Sequence, residues 1–177
     1  MNNHTFTNQP FPNEKKGVEA IPTIYKQNSN IFLVIARKKN GNVMVYEAIV
    51  DSKTKEFIAI QPYWLDLEPS YRNAARKKGR THDREELSKL DHYGYGVEIT
   101  KKYNSKKWEV QFKQYKKQKM IIVTNDNGVS LFRKGRNGDL QKVHHLFIHD
   151  RQILGMLPTV DQIDLVGFNV KTKQQIK

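Results

Sequence analysis

The chain has 177 residues, 37% of them apolar, enough for one domain with its own core. There is no cysteine, so disulfides and thiol nucleophiles are excluded, and a metal would have to be held by His and carboxylates. Lys and Arg outnumber Asp and Glu by 31 to 18, and the resulting formal charge of +13 favours nucleic acid, an anionic membrane or an acidic protein surface as partner. Abundant Lys, Asn and Ile beside sparse Gly, Ala and Pro is also what AT-rich codon usage yields, so charge alone does not establish a selected site.

Residues 1–20 are polar and interrupted by Pro10 and Pro12, which oppose regular structure, so an extended arm is expected there, with Phe6 and Phe11 able to dock on the body. A single β-rich domain is expected over residues 21–177. No apolar run approaches the roughly 18 residues of a membrane span, and no leader pattern opens the chain. The protein is expected to be soluble and intracellular, cytoplasmic and nuclear locations being equally compatible with the sequence.

"NIFLVIARKKNGNVMVYEAIV" places two β-rich runs, Ile31–Arg37 and Val43–Val50, around Asn40-Gly41, the dipeptide that supplies the positive φ angles of a tight hairpin turn. "EFIAIQPYWLDL" reads as a third strand, with Pro62 marking an edge or bulge because it has no N–H to donate. "YRNAARKKGR", Tyr71–Arg80, follows with five basic residues and no acidic one. A helix is expected in "THDREELSKLDHYGYG". Thr81 or Asp83 would cap it, Glu85 would meet Lys89 one turn on, Leu87 and Leu90 would form a narrow stripe, and Gly94 with Gly96 would stop it. Strands are then expected at Gly96–Thr100, Lys107–Tyr115, Lys119–Thr124, Val129–Arg133, Leu140–His149 and Gln162–Val170, with "NDNG" and "KGRNGD" as turns. About nine short strands and one inserted helix imply a mainly β fold, an antiparallel meander forming a barrel or sandwich.

Several blocks, "IFLVIARKKNGNVMVYEA", "QPYWLDLE", "REELSKLDHYGYGVEI" and "VDQIDLVGFNVKTKQQIK", resemble those of the family called domain of unknown function 4833. The counterparts of its motif residues would be Arg37, Asn40, Tyr63, Trp64, Tyr95, Gly96, Val97, Leu165 and Gly167. The chain departs from that pattern where Gln61-Pro62 directly precedes Tyr63-Trp64 and where the basic decapeptide is inserted. The resemblance supports an all-β domain and brings no catalytic residue with it.

No nucleophile elbow, phosphate-binding Gly loop, dinucleotide fingerprint or paired metal motif is present, so neither a cofactor nor a metal is expected, and an enzyme is the less favoured class. "VHHLFIHD" looks chemical, but on a strand His145 and His149 stand roughly 13 Å apart along the chain. Strict alternation would put Val143, His145, Phe147 and His149 on one face and His144, Leu146 and Ile148 on the other. His82, Asp83 and His92 flank the expected helix, where capping and surface positions account for them.

Lys101–Lys119 holds eight lysines against one Glu. Alternation sends Trp108, Val110 and Phe112 inward and Glu109, Gln111, Lys113 and Tyr115 outward, leaving Tyr115 and Tyr103 as the stacking candidates for unpaired bases. The decapeptide is richer in Arg, whose planar fork suits phosphate and carboxylate. The expected partner-binding residues are Arg72, Arg76, Lys77, Lys78, Arg80, Lys113, Lys116 and Lys117. They suggest a non-enzymatic basic binding or structural module for an acidic macromolecule, either a protein assembly or nucleic acid. The alternative is a small-ligand or enzymatic site in a barrel mouth lined by Tyr63, Trp64, His92 and Tyr95.

Overall fold

The computed structural model describes residues 21, 24–26, 28–37, 42–66, 84–151 and 159–176. The fold is mainly β. Its elements are β1 (Ile31–Arg37), β2 (Asn42–Val50), β3 (Phe57–Asp66), β4 (Arg84–Glu86), α1 (Lys89–Tyr95), β5 (Val97–Asn104), β6 (Lys107–Phe112), β7 (Tyr115–Asn125), β8 (Gly128–Lys134), β9 (Leu140–Arg151), β10 (Thr159–Asn169) and β11 (Gln175–Ile176). Residue 21 and residues 24–26 are also helical.

Both runs of the first hairpin form strands as expected, and the Asn40-Gly41 turn between them lies outside the described residues. Consecutive strands pair antiparallel from β1 to β4 and from β5 to β11. The two runs meet through a parallel pair, β1 with β9. The uniformly antiparallel meander closed as a barrel or sandwich is therefore corrected to one open, mixed sheet, with eleven strands among the described residues.

The cause lies in the length of β9. Its 12 residues exceed what one neighbour spans, so a single edge is divided: β8 pairs with its start up to Val143, and β1 with His145–Ile148. On the opposite edge β10 passes from His145 to Val143 while advancing only from Val166 to Gly167. His144 is the extra residue of a β-bulge, and a bulge bends its strand and sharpens the twist. Val143, Leu146 and Ile148 consequently enter one core cluster, although strict alternation would part Val143 from the other two. Gly167 stands opposite the bulge, where a Cβ would come within 2.1 Å of the Lys142 carbonyl oxygen.

From this corner two wings, β1–β4 and β5–β8, curl toward each other. Phe57 packs on Trp108 at 5.2 Å between ring centroids, and Tyr46 meets Phe112 edge-on at 5.7 Å. The main cluster between the wings includes Leu33, Met44, Tyr46, Val110, Ile122 and Leu131. A second cluster, on the other side of β1–β3, joins Val34, Val43, Val45 and Tyr63 to Ile21 and Ile24. Strand β1 is buried on both faces, which is why "IFLVIA" is continuously apolar rather than alternating.

Three further expectations are corrected. Lys107–Tyr115 is two strands, because Lys113 and Gln114 turn the chain so that Phe112 pairs with Tyr115. The helix covers only Lys89–Tyr95. Its cap is Ser88, whose side chain accepts from the Asp91 amide while the Asp91 carboxylate accepts from the Ser88 amide. That reciprocal box outcompetes the acidic run upstream, so Arg84–Glu86 is free to pair with β3 instead. Leu87 is buried ahead of the helix and Leu90 is exposed, so they form no stripe. Thr81, His82 and Asp83 lie outside the described residues.

Thr124, at the end of β7, is 3% exposed and its hydroxyl has no hydrogen-bond partner among the described residues. Burying an unpaired hydroxyl costs free energy that an isosteric methyl does not. Thr124→Val is expected to raise stability by about 1 kcal/mol in urea unfolding. A loss of similar size would show that the hydroxyl is satisfied in solution.

Candidate functional site

The decapeptide, with Arg72, Arg76, Lys77, Lys78 and Arg80, lies outside the described residues. Its described flanks are the end of β3 and the start of β4, strands paired antiparallel with Leu65 opposite Arg84.

The lysine-rich stretch forms β5, β6 and the start of β7. Trp108, Val110 and Phe112 pack in the core, as alternation requires, and Lys101, Lys102, Lys106, Lys107, Lys113, Lys116, Lys117 and Lys119 are all exposed. Glu109 is fully engaged. It accepts from Lys119 Nζ at 2.8 Å, from the Thr100 hydroxyl at 2.8 Å and from the Tyr103 hydroxyl at 3.1 Å. Lys119 first, then Thr100, hold its carboxyl below the usual range. Among the described residues no other lysine of this stretch has a carboxylate within ion-pair distance.

Tyr103 is not a free stacking platform. Lys101 Nζ and Lys107 Nζ lie 4.9 and 5.2 Å from its ring centroid, and Glu109 fixes its hydroxyl. Lys102 similarly covers Trp108 at 4.6 Å. Tyr115 remains exposed. Strand β5 is the last of its wing, and lysines with register breaks after Ile99 and Lys102 also discourage unwanted pairing along its open edge.

Of the residues expected to line a pocket, Trp64 and Tyr95 come together edge-on, 5.3 Å apart. The Arg37 guanidinium lies 4.7 Å from the Tyr95 ring centroid and 5.7 Å from that of Trp64. Tyr46 donates its hydroxyl to the Tyr95 carbonyl at 2.8 Å, and burial raises its pKa far above the ordinary phenol value. Tyr63, the next residue from Trp64 on β3, points to the other side, into the second cluster and under Arg84 at 4.2 Å. His92 is exposed on α1. Sequence reasoning did not join Arg37 and Tyr46 to this cluster. For Arg37, Trp64 and Tyr95 the signal was present only as motif residues in three separate blocks, and Tyr46 carried none.

At the β9 bulge His144 Nδ1 and His145 Nδ1 are 2.9 Å apart, so one ring donates a proton to the other. The Tyr25 ring stacks on His144 at 4.9 Å, and its hydroxyl donates to the His144 carbonyl. Burial, and then His144, push the His145 pKa down to about 4; burial and Lys142 lower that of His144. His149 pairs instead with Asp164 at 2.8 Å. No group of three potential metal ligands occurs among the described residues. Nor is any described helix long and apolar enough to cross a membrane.

Of the residues that carry the family resemblance, Arg37 ends β1, Trp64 lies within β3, Tyr95 and Gly96 end the helix, and Gly167 faces the bulge of β9. Gly96 is required by close approach: a Cβ there would lie 2.2 Å from the His92 carbonyl oxygen. No curated protein and no solved structure matches the chain. The family model described as domain of unknown function (DUF4833) matches residues 33–177, and the chain belongs to that family.

Proposed function

We propose that this domain is a non-enzymatic binding or structural module that docks on an acidic macromolecule, a protein assembly or nucleic acid, inside the cell. The observation that carries this reading is the lysine field of Lys101–Lys119, in which eight ammonium groups are exposed and the single carboxylate of the stretch, Glu109, is already committed to Lys119. Such a field steers an oppositely charged partner. The decapeptide adds five more cations to the sequence. The ligand-site alternative has less support. Edge-on packing of Trp64 against Tyr95, with Arg37 over both, fills the space between those rings, while Tyr63 faces elsewhere.

Two variants test the reading. One replaces Arg76, Lys77, Lys78 and Arg80 with Gln, the other Lys113, Lys116 and Lys117. Each is expected to weaken binding to polyglutamate or to a single-stranded oligonucleotide about tenfold or more while the thermal midpoint moves little. Unchanged binding in both variants would overturn the proposal. A large fall in midpoint would assign the segment a structural role.

A further inference from the structure

Helix α1 fully buries no residue: Tyr95 at its end packs on the main core, while Leu90 and Tyr93 are turned to solvent, 78% and 67% exposed. At i and i+3 they share one side of the helix. So short a helix is marginal on packing alone and is held by its ends: the Ser88–Asp91 box, and the Gly96 amide donating to the His92 carbonyl at 3.0 Å. The basic β6–β7 turn lies directly against that second end. Lys113 donates its amide to the Gly96 carbonyl at 2.9 Å, and its side-chain Cδ is 2.9 Å from where a Cβ on Gly96 would sit. Lys116 and Lys117 follow at the start of β7, exposed like Lys113. The acid of the helix, Asp91, is occupied in its cap.

We infer that the Leu90–Tyr93 face of α1 and the adjoining Lys113, Lys116 and Lys117 form one docking surface for an acidic protein segment that carries apolar side chains. This rests on the charge-driven reading above and names its partner class. Exposed aliphatic and aromatic groups with a cationic turn against one end match the anatomy of a protein interface, with an apolar centre for anchors and a polar rim for steering. Nucleic acid fits less well, because Leu90 has no π face and Tyr103 is covered by lysines, which leaves only Tyr93 and Tyr115 to stack on.

Three probes of equal charge separate the outcomes: a Glu-Ser peptide, the same peptide with Leu and Phe replacing two serines, and an oligothymidylate. The apolar-bearing peptide is expected to bind about tenfold tighter than the plain one, the gain of burying one large side chain. Leu90→Ser with Tyr93→Ser should abolish that preference and leave plain-peptide binding unchanged, whereas Leu90→Met with Tyr93→Phe should retain it. Equal binding of the two peptides, or a preference that survives the serine variant, overturns the inference and leaves the charge reading standing. Tighter binding of the oligothymidylate, insensitive to the serine variant, also overturns it in favour of nucleic acid. Failure to bind any of the three overturns the charge reading itself.

Discussion

Gly167→Ala is expected to cost about 3 kcal/mol, read as a lower urea midpoint with an unchanged slope. The added Cβ would sit 2.1 Å from the Lys142 carbonyl oxygen and 3.2 Å from the Val143 Cα. Both are backbone atoms of β9, so relief requires the strand itself to move. That strand cannot move freely at this point, because β8 holds it up to Val143 and β1 takes hold at His145. The damage would therefore pass into both wings and the core between them. A loss below about 0.5 kcal/mol, as at ordinary surface positions, would mean that the bulge is not the corner of the fold.

The second large effect is acid lability centred on His145. His145 is 9% exposed and its pKa is lowered from the ordinary 6.5 to about 4, chiefly by burial. The folded state thus favours the neutral ring. The associated stability is present above the unfolded value of 6.5 and is lost progressively as pH falls toward 4, reaching about 3 kcal/mol. His144 acts in the same direction, since its pKa is also lowered and Lys142 opposes its charge. Protonating both rings would leave two donors at 2.9 Å and no acceptor, which breaks the contact. Tyr25 and its helical segment rest on the His144 ring and would loosen with it. Unfolding midpoints of His145→Gln should vary less between pH 6.5 and 4.5 than those of the parent. An identical pH slope in the two proteins would remove His145 from this role.

Local chemistry was the legible part of the fold. β-Rich runs around Asn40-Gly41 identified the first hairpin, and the period of Trp108, Val110 and Phe112 identified an inward face because consecutive strand residues alternate. Where the determinant is distant, the sequence carries no sign of it. Pairing of Val34–Arg37 with His145–Ile148 joins segments more than a hundred residues apart, and the divided edge of β9 exists only once both neighbours are in place. The Lys113-Gln114 turn lacks the Gly, Asn or Pro that usually announces one. The helix start was misplaced because a run of acidic residues resembles a first turn, whereas Ser88-x-x-Asp91 satisfies backbone donors directly.

The same division applies to the candidate site. Lysines on β5–β7 could be counted in the sequence, and alternation gave their exposure. That Glu109 is consumed by Lys119, Thr100 and Tyr103 could not be read, since it depends on cross-strand register. Arg37, Trp64 and Tyr95 stood in three separate blocks and became one cluster only through the pairing of β1, β2 and β3 and the placement of α1.

The most direct test of charge-driven docking is the affinity of the intact protein for polyglutamate, measured by titration at salt concentrations from about 50 to 500 mM, a range over which the screening length falls below the spacing of most surface charges. Docking through the lysine field and the decapeptide predicts a steep, continuous loss of affinity with rising salt. Affinity that stays level across the range would contradict it.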